Sequence, residues 1–424
     1  MTNKPFFSRQ LATWLLQYDW HYTTLLAATI QHTNGIPEHE DDFVNALLKT
    51  YPQKPDQTVL SNFIQTYFSK RKWFNPNTQI VDICIDQPQL TAPNISPLPV
   101  IQNSKELASF LNISENELDW FSQKFRRDKN QADHLNHYHY SLHKKSDGDY
   151  RLLESPKTRL KSIQQRISEK IISLVKVHSA AHGFVKGKSC KTHAANHTGK
   201  RFLFVFDLQQ CFQSTQWYQI YRVFDDIGYS KSISQYLSHL STHQCYVNHP
   251  ALKKFLTDHI LRLKTKHLPQ GAPGSPALSN LVLYHLDKRL TGLAKRLQLT
   301  YSRYADDLAF SGNHRRCWKF LEPLVGAICL EEGFQLNHRK SRILKSAQRQ
   351  KLTGIVVNQK TNIDRRYYDR LKAILHNCQR YGLRSQNRLN LPNFRAYLLG
   401  SIQYVKSLNP DKGEKLLKLF QQIT

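Results

Sequence analysis

The chain's strongest chemical signal is a pair of neighbouring carboxylates, Asp306 and Asp307, in the run "LTYSRYADDLAFSG" from Leu299 to Gly312. Strand-forming residues flank the pair, so the stretch predicts strand, a turn of about two to four residues, then strand, with Ala-Asp-Asp at the bend. A second candidate is Asp207, which ends "RFLFVFD", a run of aromatic and β-branched residues that reads as a buried strand. A charge closing such a strand is poorly tolerated unless it is exposed at the strand end or bound to something. Taken singly, each site also has a plainer reading: Asp207 as a cap on the following turn, and Asp306-Asp307 as a solvated hairpin bend.

Adjacent carboxylates repel, and bringing a third near them is costly unless cations neutralise the set. Mg²⁺ suits such a set, because it takes hard oxygen ligands from one or two carboxylates and completes its shell with substrate phosphates. Three carboxylates on neighbouring strand ends would hold two ions about 4 Å apart, one activating an attacking 3′-hydroxyl and one stabilising a leaving pyrophosphate. The expected chemistry is nucleotidyl transfer with Asp207, Asp306 and Asp307 as catalytic and metal-binding residues.

The elements that must position these acids are legible in outline. Runs such as "RFLFVFDL" and "LTGIVVN" alternate with helical ones such as "LSNLVLYHLDKRLTGLAKRL", so the middle of the chain predicts a mixed α/β region. Toward the C-terminus, Tyr367, Leu371, Ile374 and Leu375 recur at helical spacing, as do Leu416, Leu417 and Phe420. Ahead of the middle, "DQPQLTAPNISPLPVIQN" carries four prolines between Asp86 and Asn103 and reads as a linker. Before it, "DDFVNALLKTY" and "TVLSNFIQTYFSKRKWF" predict a small helical domain with Phe43, Leu47, Leu48 and Tyr51 on one face.

Charge divides the chain in the same place. The 424 residues hold 60 Lys and Arg against 32 Asp and Glu, a net of +28 that favours a polyanionic partner, nucleic acid first. Residues 1–100 have seven basic and eight acidic side chains, so they have no surplus with which to grip phosphates. Residues 144–201 carry a surplus of +10 and residues 359–424 one of +9, which fits a cleft with two basic walls. The plainer reading of any one of these charges is a solvated helix face.

Seven scattered cysteines include no C-x-x-C pair, so neither a disulfide framework nor a thiolate zinc site is expected, and a reducing cytoplasm fits. No 18 apolar residues run uninterrupted, and "MTNKPFFSRQLATWLLQYDW" lacks a small-residue cleavage site, so no membrane span or secretory signal is expected. The cluster "DHLNHYHY" offers His134, His137 and His139 but no fourth zinc ligand at usual spacing.

With these residues in place, the chain resembles reverse transcriptases, and among them the bacterial retron type, over roughly residues 115–424. Six motifs occur in order: "HGFVKGKS" at 182–189, "FDLQQCF" at 206–212, "LPQGAPGSPALSN" at 268–280, "YADD" at 304–307, "GFQLNHRKS" at 333–341 and "LTGIVVN" at 352–358. The resemblance implies a right-hand polymerase: a helical N-terminal extension over 1–86, the linker over 87–103, fingers over 104–200, palm over 201–358 and helical thumb over 359–424. It implies direct metal ligation by Asp207 and Asp306, with Asp307 supporting them.

The resemblance further implies nucleotide contacts from Phe212, as a gate against the ribose 2′-hydroxyl, from Gln270 and Gly271, and from Lys340 near the pyrophosphate. A core Phe, a plain loop and a surface Lys are the alternatives. Lys144 and Arg151, seven apart across a Gly-containing turn, fit two hairpin strands delivering cations to a triphosphate. Tyr304 and Gly354 match positions at the primer end. "FRAYLLGSIQYVKSLNPDKGEKLLKLF" looks like the thumb that lies along template-primer duplex.

The implied substrates are deoxynucleoside triphosphates with two Mg²⁺ ions. The implied template is a dedicated structured noncoding RNA, the product an RNA-linked DNA (msDNA) begun on an RNA 2′-hydroxyl, and the setting antiphage defence. An effector protein is the partner expected for the near-neutral extension. Rival readings are another prokaryotic reverse transcriptase, of group II intron or other defence type, and a non-catalytic RNA-binding scaffold or antitoxin component. Three departures from the retron pattern stand out: His193 in "HAANH" where the family has Asn, Leu352 heading the Thr-Gly pair, and Cys211 preceding Phe212.

Overall fold

The computed structural model describes residues 8, 11–12, 14–16, 18–33, 37–69, 98–122, 136–144, 148, 150–245, 263, 265–314, 320–388 and 390–423. Most of the expected linker, through residue 97, lies outside the described residues, as does His134. The chain divides into two compact units. One comprises residues 1–179, 207–290 and 316–339, and the other residues 180–206, 291–315 and 340–424.

The first unit includes helices Tyr22–Thr33, Pro37–Thr50 and Gln57–Ser69. Their apolar stripes meet in a cluster that includes Leu25, Leu26, Phe43, Val44, Leu47, Leu60 and Ile64, with Leu48 and Tyr51 partly buried against it. The helical spacing read from the sequence thus closes a real core, in which each fully buried Leu or Phe contributes about 1.5–3 kcal/mol of transfer free energy. Helix Tyr22–Thr33 also packs along helix Leu321–Glu331, where Gly326 lets the two approach: a Cβ there would stand 3.1 Å from that of Ala27.

After the linker, Asn103 caps helix Ser104–Leu111 by accepting a hydrogen bond from the Glu106 backbone N–H at 2.9 Å, and chain direction is fixed from there. This helix joins Glu115–Ser122, Thr158–Lys170, Trp217–Asp226, Lys231–Ser241 and Ser275–Val282 round a second core that includes Leu107, Ile163, Ile167, Ile220, Phe224 and Leu237. Strands β1 (Tyr138–Lys144) and β2 (Tyr150–Pro156) form an antiparallel ribbon in the same unit.

Except for Asp207, the last residue of β3, the second unit holds a four-stranded sheet of order β4-β5-β3-β6, with β3 Phe202–Asp207, β4 Thr300–Tyr304, β5 Asp307–Gly312 and β6 Arg342–Lys345. Every residue of β3 is buried, as expected of a strand covered on both faces. Leu203 and Val205, two apart and so on one face, join Ala309 of β5 in a core with Leu371, Leu375, Leu398, Ile402, Val405 and Leu416. Those last six belong to helices Arg365–Tyr381, Phe394–Leu408 and Pro410–Gln421, so the sheet and the C-terminal helices share one hydrophobic interior. On the alternate face Phe206 meets Phe310 edge-on, ring centroids 6.0 Å apart.

Candidate active site

The register pairs Tyr304 with Asp307, leaving a two-residue loop, Ala305-Asp306, between β4 and β5. The bend lies at the short end of the two-to-four-residue turn expected from the sequence, with Asp307 opening β5. Two-residue hairpin loops need positive φ, usually from Gly or Asn, yet here Ala305 adopts φ +56. A non-glycine residue held there marks a position the surroundings over-determine.

The surroundings do so in two ways. Arg303 is 1% exposed, and its Nη1 donates to the Ala305 carbonyl at 2.9 Å. From the other side Gly183 presses on the loop so closely that a Cβ would lie 2.5 Å from the Ala305 nitrogen. The chain reaches this position because residues 180–182 run parallel to β4: the Arg303 N–H donates to Ala180 O at 2.8 Å and the His182 N–H to Arg303 O at 2.7 Å. The glycine of "HGF" is therefore a packing requirement of the two-carboxylate hairpin.

Behind the hairpin lies a layer of buried histidines on helix Cys190–Ala195 and its flank. His197 bridges β4 and β5 by hydrogen bonds to Ser302 and Ser311, both 2.7 Å, and His193 Nδ1 bonds Ser302 at 2.8 Å. His182 is tied to Thr192 at 2.8 Å. Burial pushes all three below the ordinary imidazole value, to about 4 for His182, about 2 for His193 and about 3 for His197, so they act as neutral struts. His193, the departure from the expected Asn, thus supplies a hydrogen bond of its own to β4.

Asp207 closes β3 at 8% exposure. The Asn337 backbone N–H donates to its carbonyl at 2.7 Å, Asn337 Nδ2 donates to its Oδ2 at 3.2 Å, and the Gln209 N–H donates to Gln335 O at 2.7 Å. The segment Gln335–Asn337 therefore runs beside Asp207–Gln209 and fixes the acid at both backbone and side chain. In the sheet, β5, which Asp307 opens, is the neighbour of β3, which Asp207 closes. Asp306 and Asp307 are half-buried, and each carboxylate offers the hard oxygen ligands that a divalent ion such as Mg²⁺ takes.

The "LPQG" stretch forms a turn against β2. Glu154 N–H donates to Gln270 O at 2.8 Å, and Gly271 adopts φ +131 with space so limited that a Cβ would meet the Glu154 carbonyl oxygen at 3.1 Å. Gly271→Ala should therefore cost about 1–3 kcal/mol and raise the KM for nucleotide, to be read from thermal melting and from incorporation at varied dTTP. An unchanged KM would return the turn to a purely structural role.

Just before the turn, His267 is wholly buried with Glu154 and Cys245, their donor atoms within 4.8 Å of one another. His267 Nε2 donates to both Glu154 carboxylate oxygens at 3.1 Å, its Nδ1 donates to Thr265 O at 2.8 Å, and Cys245 Sγ donates to Glu154 Oε1 at 2.9 Å. Burial alone would raise the Glu154 pKa, but the His267 charge and hydrogen bond hold it below the ordinary value. Conversely, burial opposes the His267 proton, and Glu154 with the Thr265 carbonyl keeps its pKa raised. The group is an imidazolium–carboxylate pair under the turn, built from residues the sequence reading did not single out.

The other expected nucleotide contacts are placed as follows. Register pairs Lys144 with Tyr150 and Arg151 with His143, so Lys144 and Arg151, both exposed, stand one step apart on opposite faces of the ribbon. Phe212 is partly buried against the core containing Ile220 and Phe224. Lys340 is exposed at the end of the turn His338–Lys340. Tyr304 ends β4, and Gly354 lies in a two-residue loop between β7 (Lys351–Leu352) and β8 (Ile355–Val356), with φ +45 at Thr353 and +88 at Gly354. Of the histidine trio weighed for zinc, His137 is buried against the rings of Trp120 and Phe121 and His139 is exposed.

A family model described as reverse transcriptase (RNA-dependent DNA polymerase) matches residues 142–357. The chain is 34% identical over 342 residues to the retron Mx65 reverse transcriptase of Myxococcus xanthus, covering 81% of this chain and 76% of that one. It is 32% identical over 336 residues to the retron Mx162 reverse transcriptase of the same organism, covering 76% and 67%. It is 30% identical over 239 residues to the retron Ec86 reverse transcriptase of Escherichia coli, covering 56% and 68%. Among solved structures, a foamy viral protease–reverse transcriptase in complex with double-stranded DNA aligns with TM-score 0.39 and 17% identity, over 78% of this chain and 46% of that one.

The chain belongs to the reverse transcriptase family, in its bacterial retron type, and is an RNA-directed DNA polymerase with the mixed helix-and-sheet fold of such enzymes. RNA template and DNA product are its macromolecular ligands, and the family generally uses divalent metal ions. No helix among the described residues is long and apolar enough to cross a membrane.

Proposed function

We propose that Asp207, Asp306 and Asp307 carry two Mg²⁺ ions and that the enzyme copies a dedicated structured noncoding RNA into RNA-linked single-stranded DNA in the cytoplasm, in the service of antiphage defence. The observation that carries the catalytic part is the locked two-residue hairpin: Ala305 is held in a left-handed conformation by buried Arg303 and by Gly183, with Asp307 opening the strand next to β3. Strain of this kind is retained where it fixes a functional geometry. When bound, the ions would activate the primer hydroxyl and neutralise charge on the leaving pyrophosphate.

The chain's own groups then have defined duties. Asn337 orients the Asp207 carboxylate, the Arg303 guanidinium sets the loop that carries Asp306, and the Gln270-Gly271 turn offers backbone for close approach to the nucleotide. In this reading Phe212, Lys144, Arg151 and Lys340 each contact the nucleotide, and Tyr304 and Gly354 support the primer end. The basic surplus in residues 144–201 and 359–424 supplies phosphate contacts for the template. The near-neutral extension, poor in such contacts, suits a protein effector.

The retron part is supported by the names of the relatives and is tested by the nucleic acid that copurifies with the protein. The expected species is RNA covalently joined to a short DNA, so that ribonuclease leaves DNA and deoxyribonuclease leaves RNA from one band. RNA without attached DNA would retain a reverse transcriptase and remove the self-primed, RNA-linked product.

A further inference from the structure

Helix Tyr22–Thr33 belongs to the N-terminal extension, far in sequence from every polymerase motif, yet its first turn grips one of them. His338, within "GFQLNHRKS", has Nδ1 hydrogen-bonded to Thr23 Oγ1 at 2.7 Å and Nε2 hydrogen-bonded to Thr24 Oγ1 at 2.8 Å. Glu322 Oε1 lies 3.0 Å from Nδ1, and the His21 ring stacks on the His338 ring with centroids 5.2 Å apart. Both ring nitrogens and one ring face are thus engaged, three of the four contacts coming from the extension.

His338 is the covalent neighbour of Asn337, which holds Asp207 by its backbone N–H at 2.7 Å and by its side-chain amide at 3.2 Å. Leu336 forms a bridge pair with Leu208, so the same segment also aligns the chain just past the acid. The path Thr23/Thr24, His338, Asn337, Asp207 is continuous, and no step in it exceeds hydrogen-bonding distance or one peptide unit. Close packing of helix Tyr22–Thr33 on helix Leu321–Glu331 at Gly326 keeps the gripping hydroxyls in place.

We propose that the N-terminal extension positions the catalytic centre: Thr23 and Thr24 hold His338, and through Asn337 they set the orientation of the Asp207 carboxylate. This rests on the reading of Asp207 as a metal-binding acid. Partners of ligating carboxylates typically alter activity by tens of fold when lost, because the ligand must otherwise be oriented anew in each turnover. His338 is accordingly a positioning residue, and the extension is part of the polymerase and not an appendage to it.

The test is the full-length enzyme carrying Thr23→Val and Thr24→Val together, which keep shape and remove both hydroxyls, assayed with dTTP on a primed polyadenylate template. The expected result is a kcat lower by about tenfold with the KM for dTTP within about twofold of wild type. Thr23→Ser with Thr24→Ser, which returns the hydroxyls, should restore kcat. His338→Phe is a second variant expected to repeat the loss. Wild-type kcat in a folded variant, a loss that serine does not rescue, or unfolding of both variants at assay temperature would each overturn the proposal. Asp207→Asn run in parallel separates the readings. If it retains synthesis, the catalytic role of Asp207 falls; if it is dead while the threonine variant is fully active, only the positioning role falls.

Discussion

Asp306→Asn should reduce incorporation of labelled deoxynucleotide on a primed RNA template by at least about a thousandfold, equivalent to about 4 kcal/mol of lost transition-state stabilisation. The substitution is nearly isosteric and leaves the hairpin's fixed features intact. Arg303 bonds the Ala305 carbonyl, Gly183 packs on the Ala305 nitrogen, and β4 pairs with β5 through backbone groups, none of which needs the Asp306 carboxylate. What changes is one negative charge offered to a divalent ion, so binding of RNA, which depends on the basic surfaces, should persist. A filter-binding assay with the template alone beside the incorporation assay separates the two. Undiminished synthesis would remove the two-metal mechanism, and lost RNA binding would show that the acid serves the fold.

Glu154→Ala is expected to be the largest stability change, about 3–5 kcal/mol, since it strips the carboxylate counter-charge from an imidazolium at 0% side-chain exposure. The His267 Nε2 proton and the Cys245 thiol would both lose their acceptor in a dry interior. The pair also predicts the shape of the wild-type pH profile. His267 has a folded pKa above its ordinary 6.5, so its share of stability is complete below that value and fades as pH rises through the raised one. Glu154 has a folded pKa below its ordinary 4.5, so its share is complete above that value and fades as pH falls through the lowered one. Melting temperature should therefore be highest between these limits, and Glu154→Ala should flatten the profile at both ends. A variant that melts like wild type across this range would show that the pair contributes nothing net.

The strands that carry the acids were legible because strands buried on both faces read as continuous runs of aromatic and β-branched residues, and a charge at the strand end interrupts the run. The helical extension was legible for the same kind of reason: Phe43, Leu47, Leu48 and Tyr51 fall on one face, and the first two prove fully buried. The supports of the site were not legible. Asn337 lies 130 residues from Asp207, and His267 lies 113 from Glu154, separations at which no local pattern connects partners. Arg303 was hidden by its type, since an arginine near the end of a strand reads as surface until the loop carbonyl it serves is located. The charge census also misdirected attention from the extension: lacking a surplus of cations, residues 1–100 gave no chemical reason to look for Thr23 and Thr24, which hydrogen-bond one ring.

One property of the sheet has practical weight for dissecting the enzyme. Leu203, Val205 and Ala309 find their covering in Leu371, Leu398, Ile402 and Leu416, residues contributed after position 359. Cutting the polypeptide between sheet and tail would bare a greasy surface on both fragments, and neither half would be expected to survive as a soluble piece. A fragment meant to isolate the β4-β5 hairpin must keep the tail, and tags are better joined beyond the last helix than inserted ahead of it.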